Sequence, residues 1–250
     1  MESGMSERAV AKGDFVLVSY TISLMEETGE RVIASTVHEE GAGSHEEPEL
    51  VIVGEGYLLS AIEEALVGMK EGESKEVILE PSQAFGERDP GNIVVLPARE
   101  LSSRGVVPRV GEEIELDGRR GRIIRVGGGR VTVDFNHPFA GKRVRARIAV
   151  QKIVEDDRGK LAELLLKWFK GIPRDRVSVK VDGDTAEVEV PGSIFAFSNA
   201  HILLSGFLRD VERYIPSISK VRLVEEFRFE RGKEERKEEA TSGASGEASA

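Results

Sequence analysis

The sequence predicts an α+β protein in which antiparallel sheets and a few helices follow one another as separate units. Segments with alternating apolar and polar residues, the period of a half-buried strand, recur before residue 155. Short strand-like pieces divided by glycines lie between residues 93 and 135, and residues 155–230 follow an α-β-β-α-β order. A chain of 250 residues has room for two or three small domains, so we expect more than one.

The first unit is predicted as a sheet with one short helix. Its strands are expected at Asp14–Leu24, Arg31–Val37, Leu50–Val53 and Lys75–Leu79. A polar loop is expected at His38–Pro48. The segment Leu58–Val67 has apolar residues at helical spacing, and Gly68 follows it where a left-handed backbone conformation ends a helix.

The second unit is predicted as a small β domain. Its strands are expected at Ile93–Leu96, Glu113–Leu116, Gly121–Val126 and Arg130–Phe135. The run Gly127–Gly129 lies between two strands rather than before a helix, so it favours a hairpin turn over a phosphate-binding loop. A further strand, Val144–Val154, then belongs with the first unit.

The third unit is predicted to contain two helices and three strands. The helices are expected at Gly159–Lys170 and Ser198–Tyr214, and the strands at Val177–Val181, Ala186–Val190 and Val221–Phe229. Asp182–Asp184 forms a tight hairpin between the first two strands. Residues 231–250 are charged, rich in Ala, Ser and Gly, and expected to be disordered.

Composition excludes several kinds of protein. No apolar run approaches the ~20 residues that a membrane-spanning helix needs, and residues 1–12 lack the apolar core of a secretion signal. The absence of cysteine excludes disulfides and thiolate chemistry, which favours a cytoplasmic setting. The four histidines are scattered, so we expect neither a metal nor a cofactor. Few Asn and Gln beside many Glu and Arg suggest a thermophile.

Charges are distributed unevenly along the chain. Residues 26–89 carry 17 acidic and four basic side chains, whereas residues 117–147 carry nine basic and two acidic ones. Solvated surface of mixed sign is the favoured interpretation, and a nucleic-acid partner is not expected because no aromatic residues alternate with the arginines. The adjacent Glu63 and Glu64 are interpreted as a solvated helix face rather than a catalytic pair, since neighbours on a helix point apart.

A family resemblance begins at the run Asp134–Lys142, with the sequence D-F-N-H-P-F-A-G-K. Taken alone, this run is a turn. It also resembles a signature of the SlyD-like FKBP-type peptidyl-prolyl isomerases. Five further segments resemble the family in the same order, namely Val18–Thr21, Gly54–Leu59, Ile62–Leu66, Gly68–Glu73 and Ala84–Pro90.

The resemblance implies an organisation and a function. Residues 1–90 and 135–154 would form an FKBP half-barrel, an antiparallel sheet with one short helix. Residues 91–134 would form an inserted domain that binds unfolded chains, and residues 155–230 look like the C-terminal domain of long archaeal FKBPs. The implied activity is rotation of X–Pro bonds in unfolded polypeptides, assisted by chaperone action.

The resemblance also implies a prolyl pocket. Its catalytic residues would be Tyr20, Leu58, Leu59, Ile62 and Phe85, with the Leu59 N–H bonding the substrate carbonyl before the proline. Each of these is equally typical of a core residue. Ile33 and Ala146 would line the pocket where relatives have an acidic residue and an aromatic one. The acidic residue is absent whether Ile33 or Ala34 is taken as its equivalent, which leaves a wider and less polar site.

The insert and the C-terminal domain offer further surfaces. Val94 and Leu96 in the strand Ile93–Leu96 are candidate client contacts, as is the segment Val106–Pro108, although these residues equally suit the insert's own core. The helix Ser198–Tyr214 carries more apolar residues than one small sheet needs, so we hypothesise a homodimer interface there. These residues are Leu203, Leu204, Phe207, Leu208 and Val211.

Two other functions stay open at this point. A holdase chaperone without isomerase activity would use the insert and C-terminal domain if the prolyl pocket is degraded. A nucleic-acid or ribosome-associated factor would use the basic region Arg119–Arg147.

Overall fold

A computed structural model gives the architecture and describes residues 8–40, 43–192, 194 and 197–225. The predicted disordered tail and the end of the last predicted strand, residues 226–229, lie outside the described residues. The strands are β1 (Phe15–Glu26), β2 (Gly29–Ser35), β3 (Val37–Glu40), β4 (Gly43–Glu46), β5 (Glu49–Ile52), β6 (Ser74–Leu79), β7 (Ile93–Pro97), β8 (Glu113–Leu116), β9 (Arg119–Gly127), β10 (Arg130–Asp134), β11 (Val144–Val154), β12 (Ser178–Asp182), β13 (Thr185–Val190) and β14 (Lys220–Glu225). The helices are α1 (Ser60–Leu66), α2 (Ala98–Ser103), α3 (Asp157–Trp168) and α4 (Ala200–Tyr214).

The barrel domain consists of β1 to β6, α1 and β11. Its five-stranded antiparallel sheet has the order β2-β1-β11-β6, with β5 paired to β1. Strand β11 pairs along nearly all of β1, from Phe15 opposite Val154 to Leu24 opposite Val144. The chain therefore leaves this sheet after β6 for the insert and returns to its centre in β11.

Strand β1 is buried on both faces over its first half, which differs from the half-buried strand that its alternation predicts. Val16 and Val18 face the barrel core together with Ile62 of α1. Phe15 and Leu17 point the other way, into a core formed with the C-terminal domain. Alternation places successive side chains on opposite faces, but it does not reveal that a distant segment covers the second face.

The polar segment between β2 and β5 contains a hairpin rather than the predicted loop. Strands β3 and β4 pair antiparallel, with Val37 opposite Glu46 and Glu40 opposite Gly43. Residues 41 and 42 between them lie outside the described residues. The prediction was wrong because strand pairing uses backbone N–H and C=O groups, which polar side-chain composition does not report.

The insert consists of β7 to β10 and α2. Its four-stranded sheet has the order β7-β10-β9-β8, and Leu101 of α2 is fully buried in its core. Helix α2 was not predicted, because just two of its six residues, Ala98 and Leu101, are apolar and contact the insert core. The run Gly127–Gly129 is the predicted hairpin turn: Gly127 pairs with Arg130, and Gly128 and Gly129 have φ values of 58° and 72°.

The C-terminal domain consists of α3, β12, β13, α4 and β14. Strands β12 and β13 form the predicted hairpin, and β14 lies parallel to β13 after the crossover through α4. Helices α3 and α4 pack so closely that a Cβ on Gly206 would lie 2.5 Å from the Trp168 ring. The domain does not have a core of its own, since its buried residues form one cluster with Phe15, Leu17, Leu50 and Ile52 of the barrel.

The acidic and basic halves of the charge pattern meet across the barrel sheet. Arg147 pairs with Glu76 at 3.0 Å, Arg143 pairs with Glu80 at 3.1 Å, and Arg145 pairs with Glu30. Lys142 pairs with Glu26. Much of the basic region is therefore neutralised within the protein, as expected for surface of mixed sign.

Candidate prolyl site

An apolar cavity of about 440 Å³ opens beside the loop that precedes α1. The structure brings five of the predicted residues together in its lining: Tyr20, Ile33, Leu58, Leu59 and Phe85. Ala34, the alternative to Ile33, also lines it, and three residues that were not predicted complete it: Ile22, Tyr57 and Phe139. Among the described residues of this lining, tyrosine is the one type with a polar side chain, and none of them is a carboxylate or a cation.

Ile62 and Ala146 do not reach the cavity surface. Both have no exposed area and belong to the barrel core, against which the cavity residues pack. Ala146 pairs with Ile22 on β1 and with Val77 on β6, so it lies in the middle of the sheet. The placement of Ala146 in the lining is therefore corrected: it and Ile62 support the cavity from beneath.

Aromatic rings from two distant segments form one wall. Phe85 stacks on His137 with ring centroids 4.9 Å apart, and Phe139 meets Phe85 edge-on at 5.1 Å. The guanidinium of Arg31 lies 5.4 Å from the centroid of the Phe139 ring. No residue of the run Asp134–Lys142 was predicted to line the pocket, but the structure places Phe139 in its lining. The run has three aromatic-ring residues, Phe135, His137 and Phe139, and these were the available signal.

A buried carboxylate shapes the loop at the other side of the cavity. Glu63 is 3% exposed, and its Oε2 accepts hydrogen bonds from the N–H groups of Gly54 at 2.7 Å and Gly56 at 3.2 Å. Its Oε1 accepts one from the Leu58 N–H at 2.8 Å. The prediction of a solvated face was wrong for Glu63, because three backbone donors replace its water. It holds for Glu64, which is exposed.

The Leu59 N–H has no acceptor among the described residues. Leu59 is the residue before α1, with φ −56° and ψ 136°, and its carbonyl accepts from the N–H groups of Ile62 and Glu63. A backbone donor at the edge of an apolar cavity is a binding group for a ligand carbonyl, since a donor left without a partner there costs free energy.

The hydroxyls of both cavity tyrosines are fixed from outside the cavity. The Tyr20 hydroxyl donates to Glu49 Oε2 at 2.7 Å, and burial, together with this carboxylate, raises the pKa of Tyr20. Lys167 of α3 donates to the Tyr57 hydroxyl at 2.8 Å and to Asp210 of α4 at 2.9 Å. Burial alone would lower the pKa of Lys167, but these hydrogen bonds raise it. The Tyr20 hydroxyl therefore stays protonated at neutral pH, and these hydrogen bonds orient both tyrosine side chains.

On β7 the insert exposes a different residue from Val94 and Leu96, whereas Val107 of the candidate segment Val106–Pro108 is exposed. Val94 and Leu96 pair with Val133 and Val131, which are fully buried, and Leu96 packs on the insert core. Val95 between them is 54% exposed. Strand alternation therefore makes Val95 and Pro97 the exposed residues of β7. Other large apolar side chains of the insert are also exposed, at Val107, Val110, Ile124 and Val126.

A polar junction joins the insert to the barrel. Arg88 pairs with Asp134 at 2.6 Å, and the Asn136 side chain bridges the two chain crossings, accepting from the Asp89 N–H and donating to the Asp89 carbonyl, each at 2.9 Å. Burial alone would raise the pKa of Asp134, but hydrogen bonds from Asn136 and the charge of Arg88 outweigh it and lower that pKa.

Three family profiles match successive parts of the chain. Residues 6–101 match the FKBP-type peptidyl-prolyl cis-trans isomerase, residues 94–139 match the IF domain of FKBP26, and residues 157–228 match the C-terminal part of FKBP26. Together they follow the order of the barrel, the insert and the C-terminal domain. The fold and the site thus define a multidomain FKBP.

Relatives that are similar in sequence to this chain are also peptidyl-prolyl cis-trans isomerases. A short-type peptidyl-prolyl cis-trans isomerase of Methanocaldococcus jannaschii is 33% identical over 58% of this chain and 94% of the relative. An FKBP-type 16 kDa peptidyl-prolyl cis-trans isomerase of Escherichia coli is 34% identical over 60% of this chain and 96% of the relative. The FKBP-type peptidyl-prolyl cis-trans isomerase SlyD of Treponema pallidum is 30% identical over 63% of this chain and 86% of the relative.

This chain belongs to the FKBP-type peptidyl-prolyl cis-trans isomerase family. Among solved structures, the three FKBP domains of wheat FKBP73 cover 62% of this chain and 45% of that chain at 17% identity, but their TM-score of 0.33 is too low to support a conclusion. No helix in the described part of the chain has the length and apolar character that crossing a bilayer requires.

Proposed function

We propose that this FKBP rotates X–Pro bonds of unfolded polypeptides in the cavity lined by Tyr20, Leu59, Phe85 and Phe139. The observation that carries the proposal is an apolar cavity with a backbone donor at its edge, the Leu59 N–H, which has no acceptor among the described residues. The proline ring lies against Phe85 and Phe139, and the Leu59 N–H donates to the carbonyl of the residue before proline. Tyr57 and Leu58 close the near side.

The chemistry needs no nucleophile. Rotation about an X–Pro amide has an intrinsic barrier of ~18–20 kcal/mol. The twisted transition state has lost amide resonance and its charge separation, so an apolar surface favours it over the planar ground state. An acceleration of about 10³ requires only ~4 kcal/mol, which ring contacts and one retained hydrogen bond supply. The missing acidic side chain lowers the polarity of the cavity, but it removes neither the ring contacts nor the Leu59 hydrogen bond.

A protease-coupled assay on an X–Pro tetrapeptide tests this function. We expect the wild-type protein to accelerate isomerisation and Phe85→Ala to lose most of that acceleration, because Phe85 contributes both its own ring and the contact that orients Phe139. Val95→Ala in the insert is the control and keeps the wild-type rate. No acceleration by the wild-type protein would remove the enzyme function and leave a holdase.

We propose further that the insert captures unfolded clients through the exposed side chains Val95, Val107, Val110, Ile124 and Val126. Exposed apolar side chains provide the surface that apolar segments of an unfolded chain bind. The two ends of the insert lie together, since the Asp89 N–H bonds Asn136 at 2.9 Å, so deleting residues 91–134 leaves a gap that a short linker closes. We expect the deletion to keep tetrapeptide isomerisation and to abolish suppression of client aggregation. Retained suppression would assign chaperone action elsewhere.

We also propose a homodimer through α4, with fewer apolar residues at the interface than the sequence predicts. Phe207 and Val211 are buried in the core, whereas Leu208 and Ile202 are 44% and 55% exposed and available to a second copy. Light scattering at micromolar concentration distinguishes the mass of a monomer from that of a dimer, and a monomeric mass contradicts the proposal. A cytoplasmic setting remains a prediction from the sequence.

A further inference from the structure

A second and larger cavity, of about 670 Å³, lies between the barrel and the C-terminal domain. We name it the interdomain cleft. Its barrel wall is formed by Ser35, Thr36 and residues 47–50, and its other wall by residues of α3 and the segment 170–174 that follows. Cavities at domain interfaces are preferred places for ligands.

The interdomain cleft and the prolyl cavity share a wall. Tyr57 lines both of them. A second link joins them, because Tyr20 of the prolyl cavity donates to Glu49 of the cleft at 2.7 Å. Lys167, itself a cleft residue, holds the Tyr57 hydroxyl at 2.8 Å. A chain that passes over Tyr57 from the prolyl cavity therefore enters the cleft.

The cleft has the mixed character that suits a polypeptide. Leu166, Trp168 and Pro173 give it apolar surface. Its charged residues are largely paired with one another: Arg174 with Glu163 at 3.0 Å and Lys170 with Glu49 at 3.2 Å. Because charges of both signs neutralise one another in pairs, the cleft does not favour a strongly charged ligand. Its surface suits a polypeptide segment that has apolar side chains and little net charge.

We propose that the interdomain cleft binds the residues that flank the proline of an unfolded client, so that the C-terminal domain forms part of the substrate site. The inference rests on the proposed prolyl function. A client is continuous on both sides of its proline, and each extended residue advances about 3.3–3.6 Å. The flank on the Tyr57 side thus meets the cleft within a few residues.

Peptide length provides the first test. We compare kcat/KM for a tetrapeptide and for a decapeptide with the same X–Pro centre and apolar flanking residues. The decapeptide should be favoured by about tenfold, which corresponds to burial of roughly 55 Å² of apolar surface. Leu166→Ala should reduce this ratio severalfold, whereas Leu208→Ala, the same change on an exposed site of α4 outside the cleft, should keep it.

The outcomes separate the two proposals. A tetrapeptide that is not accelerated contradicts the prolyl function itself. A tetrapeptide that is accelerated equally with the decapeptide contradicts the cleft alone, and so does an unchanged ratio in a folded Leu166→Ala protein.

Photo-crosslinking of the wild-type protein provides the second test and needs no variant. A decapeptide with a benzophenone side chain in its flank should label residues 163–174 or 47–50, as mapped by mass spectrometry. Labelling confined to residues 94–135 would show that the insert takes the flank and would overturn the proposal.

Discussion

The buried carboxylate of Glu63 gives the sharpest prediction about how the prolyl site is built. Glu63→Gln keeps the shape of the side chain and replaces one oxygen with an NH2 group. The carboxylate accepts three backbone hydrogen bonds, two on Oε2 and one on Oε1. An amide oxygen keeps at most the two from Gly54 and Gly56, now without charge, and the NH2 group then faces the Leu58 N–H.

The cost follows from those contacts. Hydrogen bonds to a charged group are worth ~1.5–3 kcal/mol against about 1 kcal/mol for neutral ones, and a buried donor without an acceptor costs ~1–3 kcal/mol. We therefore expect Glu63→Gln to lower the free energy of unfolding by about 2–4 kcal/mol. A domain with ~5–15 kcal/mol of stability still folds after this loss.

Urea unfolding measures the cost, and amide hydrogen exchange locates it. Exchange at Gly54, Gly56 and Leu58 should accelerate by at least about tenfold, since each tenfold corresponds to ~1.4 kcal/mol. Glu64→Gln is the matched control on the exposed neighbour, with an expected change within ~0.5 kcal/mol. Equal stability and equal exchange in the two variants would refute this account of the loop.

Three further predictions concern the domain contacts. Gly206→Ala should lower the free energy of unfolding, measured in urea, by about 1–3 kcal/mol. The new Cβ lies 2.5 Å from the Trp168 ring, which is held in place by its own hydrogen bond to Asp210. An unchanged unfolding midpoint contradicts this prediction. Lys167→Met should raise KM for an X–Pro peptide by about three- to tenfold, with less change in kcat. The reason is that a hydrogen bond worth ~0.5–1.5 kcal/mol no longer orients Tyr57. An unchanged KM would show that the Tyr57 ring needs no such support. The pKa of Asp134 is lowered below 3.8, so its contribution is fully present above that pH and is lost only as pH falls through the lowered value. Acid titration by NMR should give a pKa below the ordinary value, and a pKa at or above 3.8 contradicts the junction's geometry.

Much of the fold followed from local patterns. The hairpin turn at Gly127–Gly129, the end of α1 before Gly68 and the long strand Val144–Val154 were all predicted, because each depends on a few neighbouring residues. The second buried face of β1 was not, since it is covered by a segment about 150 residues away in sequence. Contacts at that separation leave no local periodicity.

The candidate site shows the same division. Tyr20, Leu58, Leu59 and Phe85 were expected from ordered motifs, and the structure brings them together. Glu63 was misjudged because its three hydrogen-bond partners are backbone N–H groups, which carry no residue-type signal. Predictions from composition treat a glutamate as solvated unless a cation is nearby, and here the partner is a loop.

In the proposed mechanism, the Leu59 N–H holds the substrate carbonyl while the apolar cavity favours the twisted amide. Leu59→Pro removes this donor, and the observed φ of −56° suits proline. Leu59→Ala keeps the donor and removes the same side chain. The direct measurement is kcat/KM for an X–Pro tetrapeptide in both folded variants.

We predict that Leu59→Ala retains measurable catalysis and that Leu59→Pro falls at least about tenfold below it, the effect of losing ~1.4 kcal/mol of hydrogen bonding in the transition state. Equal kcat/KM values for the two variants would contradict the account.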